Sequence, residues 1–162
     1  MNFLHRVFLS MYIVLNLFSY ADAEAIPSGY EKVDWSSSVE SVRLKYPKGQ
    51  LSKLADEVIY RQFKPNQQVG RRNFAFKNGR LHTVSIALEK QYVEKHGIEK
   101  LFQEYVKRYG EGVMDSSQAP HMISYLWSGV GTKISFSYAP KRPDMTVIIF
   151  ESVDKAVGTV NN

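Results

Sequence analysis

The sequence predicts an α+β domain: one antiparallel sheet of about six or seven strands with two helices packed on one face, arranged as a duplicated helix-strand-strand-strand unit. Three observations predict it. Ile98, Leu101, Phe102, Tyr105, Val106 and Tyr109 recur at helical spacing, with Glu99, Lys100, Gln103, Glu104, Lys107 and Arg108 on the other side. Phe74 and Phe76, then Asn78-Gly79, then Val84, Ile86 and Leu88 read as a β-hairpin. The two halves of the chain also repeat one order of elements, at offsets of about 60 to 64 residues.

The first 23 residues are a different kind of sequence. Met1 to Arg6 carries one fixed positive charge, Val7 to Phe18 is mostly apolar, and Ala21-Asp22-Ala23 places small residues where a signal peptidase cleaves. These are the three parts of a secretory signal, so residues 1–23 are expected to be removed after Ala23 and the protein to be periplasmic or secreted. The apolar run is shorter than the about 20 residues a spanning helix needs, so no transmembrane segment is expected after signal removal. Residues 24–154 are read as a single α+β domain and 155–162 as a polar tail.

Tyr30 to Trp35 alternates and fits a short edge strand. Ser37-Ser38-Val39-Glu40 is a capping box that opens a helix from Ser38 to Tyr46, and Pro47 with Gly49 stops it. A strand follows within Leu51 to Phe63, best seen from Val58 to Phe63, and Lys64-Pro65-Asn66 breaks it. In the Arg71 to Leu88 hairpin, a two-residue turn pairs Phe76 with Leu81 and separates Phe74 and Phe76 from Val84, Ile86 and Leu88. A three-residue turn with Gly79 left-handed pairs Phe76 with Arg80, puts all five on one face, and is the expected register. Gly97 to Tyr109 is the second helix. Strands at His121 to Trp127, Thr132 to Tyr138 and Met145 to Glu151 close the chain.

The duplication rests on three alignments. Tyr46-Pro47-Lys48-Gly49 stands beside Tyr109-Gly110-Glu111-Gly112, Ile59 to Phe63 beside Ile123 to Trp127, and Phe74-Ala75-Phe76 beside Ile134-Ser135-Phe136. An aromatic strand ending in Trp35, a helix ending in Tyr46-Pro47, the Phe74 to Leu81 turn and a helix ending in Tyr109-Gly110 resemble small exported bacterial α+β proteins. In that group a Trp-Gly pair starts the first helix, whereas Trp35 here is followed by Ser36. The resemblance implies a fold and no activity. The helix-plus-sheet repeat is also similar, by analogy, to β-lactamase-inhibitor-like domains, which implies a binder of proteins.

The 162 residues are 44% hydrophobic and 13% aromatic, carry a formal charge of +5, and include no cysteine. Lack of cysteine removes thiol nucleophiles, thiolate metal sites and disulfides at once. The charge of the remainder stays at +5 after signal removal, because Arg6 and Asp22 leave together. His82, His96 and His121 each lack a second ligand at metal-binding spacing, and His82 is expected on the apolar face of the hairpin. No nucleophile elbow or phosphate loop is present. The reading is therefore of no catalytic residue, no metal and no cofactor.

The aromatic strand residues supply the functional expectation. Tyr60, Tyr125 and Trp127 are expected on the sheet face away from the helices, and with Arg71 and Arg72 they form the candidate binding surface. Tyr125→Ala or Trp127→Ala should then spare folding. The partner class is a protein or an anionic envelope component. Nucleic acid is disfavoured by export and by core placement of Phe74 and Phe76. The function expected is a non-enzymatic binding module of the cell envelope; the alternative is an enzyme acting on an envelope substrate.

Overall fold

The structure is a computed structural model and describes residues 25–153. The expected signal at 1–23 and the tail at 155–162 lie outside the described residues.

The chain begins with a ribbon, β1 (Gly29–Tyr30) and β2 (Val33–Asp34), and a helix, α1 (Val39–Lys45). Four strands follow: β3 (Gln50–Leu54), β4 (Glu57–Phe63), β5 (Val69–Lys77) and β6 (Arg80–Leu88). Two helices come next, α2 (Lys90–His96) and α3 (Ile98–Tyr109). Four strands then close the fold: β7 (Val113–Asp115), β8 (Ile123–Ser128), β9 (Thr132–Ala139) and β10 (Arg142–Ser152). Strands β3 to β10 form one antiparallel sheet in the order β3-β4-β5-β6-β10-β9-β8-β7.

That order mirrors itself about the β6–β10 junction, which is what a duplication joined at its last strands produces. Each unit is a helix and four strands, one strand more than expected. The extra strands are the sheet edges β3 and β7, whose residues are all exposed and show no alternation to read. Register confirms the equivalence. At the junction Val84 faces Phe150 and Ile86 faces Ile148, so positions 64 residues apart exchange places. Phe74 pairs with Val84 as Phe136 pairs with Ile148, and Tyr60 with Phe74 as Tyr125 with Phe136. Tyr60 is thus the counterpart of Tyr125, an offset of 65, whereas the sequence alignment set Tyr60 beside Ser124. An alignment slip of one residue in a strand reverses every facing.

The β5–β6 hairpin reconciles two demands that the sequence reading treated as exclusive. The turn has two residues, Asn78 and Gly79, both left-handed at φ 52° and 73°, and Phe76 pairs with Leu81. Ala75 then pairs with Thr83, leaving His82 as an extra residue. This bulge shifts the phase by one, so Phe74, Phe76, Leu81, Val84 and Ile86 are all buried on one face. The single buried face was correctly demanded; the bulge, not a longer turn, delivers it.

Ser38 caps α1 by accepting from the Ser41 amide at 3.3 Å, while the Ser37 hydroxyl accepts from Asp34 N, so the cap lies one residue later than the capping-box reading. Gly97, at φ 79°, ends α2 and starts α3. Helix α2 was not expected: Tyr92 and Val93 are its only large apolar residues, and no side chain caps it. Tyr30 to Trp35 does not join the sheet. It turns at Glu31 and Lys32 into the ribbon, and Tyr30 reaches the core beside Tyr46, Phe74 and Phe150. The helices and the ribbon cover one face of the sheet, where Val42, Leu101 and Phe102 meet Phe74, Phe136 and Ile148. The other face presents Asn73, Ala75, Thr83, Ser85, Ser124, Ser135 and Ser137.

Candidate seam cleft

The residues expected to form an open aromatic surface do not do so. Tyr60 and Trp127 face the helices and are 2% and 3% exposed, because each is in phase with core residues across the ladder. The Tyr60 hydroxyl donates to Tyr46 O and accepts from Gly49 N, both at 2.7 Å. The Trp127 indole donates to Gly110 O at 2.8 Å. Its counterpart, Gln62, donates to Pro47 O at 2.7 Å, so each repeat ties the residue that stops its helix to the second strand. Tyr125 is half-buried, its ring 4.0 Å from that of Phe102. Arg71 and Arg72, being neighbours in a strand, point to opposite faces: Arg71 is exposed and Arg72 is buried. The five residues therefore make no common surface.

His82 is also displaced from expectation. The bulge turns it to the face away from the helices, where Nδ1 lies 2.8 Å from Thr83 Oγ1 and Nε2 lies 3.1 Å from Glu57 Oε1. Nδ1 is hydrogen-bonded within the strand, whereas Nε2, although close to the Glu57 carboxylate, makes no hydrogen bond. His96 stacks on Tyr92 at 4.4 Å and His121 is exposed. Among the described residues, no three of His, Asp and Glu come together in a way that could hold a metal. No helix among them is long and apolar enough to cross a membrane.

A cleft of about 320 Å³ does form, on the helical side at the seam between the repeats. Helices α1 and α3 each cover strands of their own half, and over the central pair the ribbon and α2 both pack against β10, leaving a gap between the ribbon and α3. Ile86 and Phe150 lie at the cleft's base, Pro27, Tyr30 and Glu31 form one wall, and Glu104, Tyr105, Arg108 and Tyr109 of α3 form the other. The sequence signal for this site was visible but divided: Tyr105 and Tyr109 belonged to the helical stripe, and Tyr30 to the supposed edge strand.

Glu31 organises the wall. One carboxylate oxygen accepts from the Tyr30 hydroxyl and the other from the Tyr46 hydroxyl, both at 2.9 Å. Burial, then the Glu31 carboxylate, push the Tyr30 phenol far above the usual tyrosine range; Arg72 opposes the rise. Burial and the bond to Glu31 raise Tyr46, and burial followed by Tyr109 raises Tyr105. These phenols are proton donors at any physiological pH, not phenolates. Beneath them the Arg72 guanidinium carbon lies 5.7 Å from the centre of the Tyr30 ring and 5.1 Å from that of Tyr46. The ring faces offset part of the cost of burying the cation, and arginine, weakly hydrated, tolerates such a site better than lysine. Its contact with Gln62 is long, at 3.5 Å, and Arg72 Nε has no hydrogen-bond partner.

Compared with known proteins, the chain matches no family model, no curated protein and no solved structure.

Proposed function

We propose that the protein is an exported, non-enzymatic binding protein of the cell envelope, periplasmic or secreted, that takes its ligand in the seam cleft. The observation that carries this reading is the cleft itself. Its volume of about 320 Å³ is at the lower end of pockets that hold small molecules, and it combines apolar walls with a few convergent polar groups, as such pockets do. Tyr30, Tyr105 and Tyr109 offer aromatic faces, while Glu31 and Glu104 set a polar rim. A flat or aliphatic group with one polar end fits that lining, whether it belongs to an envelope component or to a partner protein's side chain.

The titratable groups favour holding over turnover. The phenols stay protonated, and Glu31 is committed as an acceptor to two of them. Export is supported by the three-part leader in residues 1–23, and a +5 charge favours anionic envelope components as partners.

The reading is tested by exposing immobilised protein to an envelope extract and weighing the eluted compounds by mass spectrometry, beside a Tyr109→Ala variant of unchanged circular dichroism. A compound retained by the native chain and lost with the variant is expected. A compound retained equally by both, or released chemically altered, contradicts it.

A further inference from the structure

The two edges of the sheet are open and differ in sign. Strand β3 is exposed along its whole length and shows Leu51 and Leu54 to solvent at 49% and 64%. Strand β7 is also fully exposed, with Val113 at 71% and Met114 at 57%. An edge strand offers unpaired backbone amides and carbonyls, and large apolar side chains beside them favour pairing with another strand. The two edges are counterparts in the duplication: Leu51 pairs with Tyr60 as Met114 pairs with Tyr125. Their charges nevertheless differ. Residues 48 to 54 contain Lys48 and Lys53 and no acid, while residues 111 to 115 contain Glu111 and Asp115 and no base.

We infer that β3 of one copy of this chain pairs antiparallel with β7 of a second copy, continuing the sheet from molecule to molecule. Strand direction permits it. Eight strands alternate in sense, so β3 and β7 run oppositely, and copies placed side by side present an antiparallel pair. Placing Leu51 opposite Met114 keeps both on the helical side, as they are within one chain. Ser52 then faces Val113 and Gln50 faces Asp115. Lys48 lies toward the end of the pairing that holds Asp115, and Lys53 toward the end that holds Glu111. The symmetric alternatives bring like charges together: β3 against β3 opposes lysines, and β7 against β7 opposes acids. Only the mixed pairing attracts. It is head-to-tail, so it leaves a free β3 at one end and a free β7 at the other and builds rings or open chains rather than closed dimers.

Sedimentation velocity of the full chain, across a concentration series at low and high salt, tests this. Self-association is expected at low salt and should weaken as salt screens the edges. Lys53→Glu and Asp115→Lys, each alone, should weaken it roughly fivefold, the worth of a few exposed charge contacts. Mixed together, the two variants should associate again but only as far as pairs, because the unaltered β7 of the Lys53→Glu chain meets the unaltered β3 of the Asp115→Lys chain. The two altered edges would set the introduced acid beside Glu111 and the introduced base beside Lys48, and repel. A monomer at every concentration and salt overturns the pairing and leaves these charges as guards against edge contact. Association that neither variant weakens, or that the mixture fails to restore, overturns it equally.

Discussion

Glu31 holds its backbone at φ 47°, a conformation that costs a residue with a side chain roughly 1–3 kcal/mol unless its surroundings impose it. The surroundings do so here, through the two tyrosine hydroxyls that grip its carboxylate. The same contacts make stability depend on alkali. Tyr30, Tyr46 and Tyr105 have folded-state ionisation raised above the unfolded value of 10.0. Their contribution is complete below pH about 10 and is lost as pH rises toward the folded values, because the unfolded chain releases protons first. Denaturant titrations above pH 10 should therefore show stability falling by about 1.4 kcal/mol per pH unit for each tyrosine that ionises only on unfolding. Tyr30→Phe should make that fall shallower. An unchanged slope would mean that Tyr30 ionises in the folded protein.

At the scale of elements, each repeat closes on a glycine. A β-carbon built on Gly49 would come 2.4 Å from the Tyr60 ring, and one on Gly112 would come 2.8 Å from the Trp127 ring. These counterparts, 63 residues apart, let an edge strand cross directly over a large aromatic whose polar atom bonds the helix-stop segment. Gly49→Ala and Gly112→Ala should each destabilise by about 1–3 kcal/mol in urea, by overpacking. A neutral result at both sites would contradict the close approach. The pattern Tyr-x-x-Gly at the two helix ends was legible in the sequence. What was not legible was the purpose of the strand aromatics. Tyr60 and Trp127 carry polar atoms, and that mix of apolar body and polar tip suits an open surface as well as a core with a backbone partner. The partners, Tyr46 O and Gly110 O, come from segments distant in the chain. A similar limit governed the hairpin, whose apolar pattern specified one buried face but not whether a long turn or a bulge at His82 would provide it. The edges β3 and β7 escaped notice because exposed strands carry no alternation.

Over the whole molecule, the duplication explains where a site can form. Joining the two units at β6 and β10 places α1 and α3 each above its own half and leaves a gap over the junction between the ribbon and α3, beside the part of β10 that α2 covers. The order of the major elements, their antiparallel sheet and the coverage of one face all followed from periodicity. The seam did not, because it is made by Tyr30 and Glu31 from the ribbon and by Tyr105 and Tyr109 from α3, which approach only once both repeats have docked. The same joining leaves two open edges of opposite charge, so the seam is suited to a small group and the rim to another copy of the chain. The most direct measurement is amide chemical-shift mapping of the isotopically labelled protein against a set of small aromatic and aliphatic fragments with one polar end. Shifts gathered on Glu31, Ile86, Tyr105 and Tyr109 are the predicted result, with the Asn73, Ser85 and Ser135 face unperturbed. Shifts confined to that opposite face, or none for any fragment, would contradict the seam as the binding site.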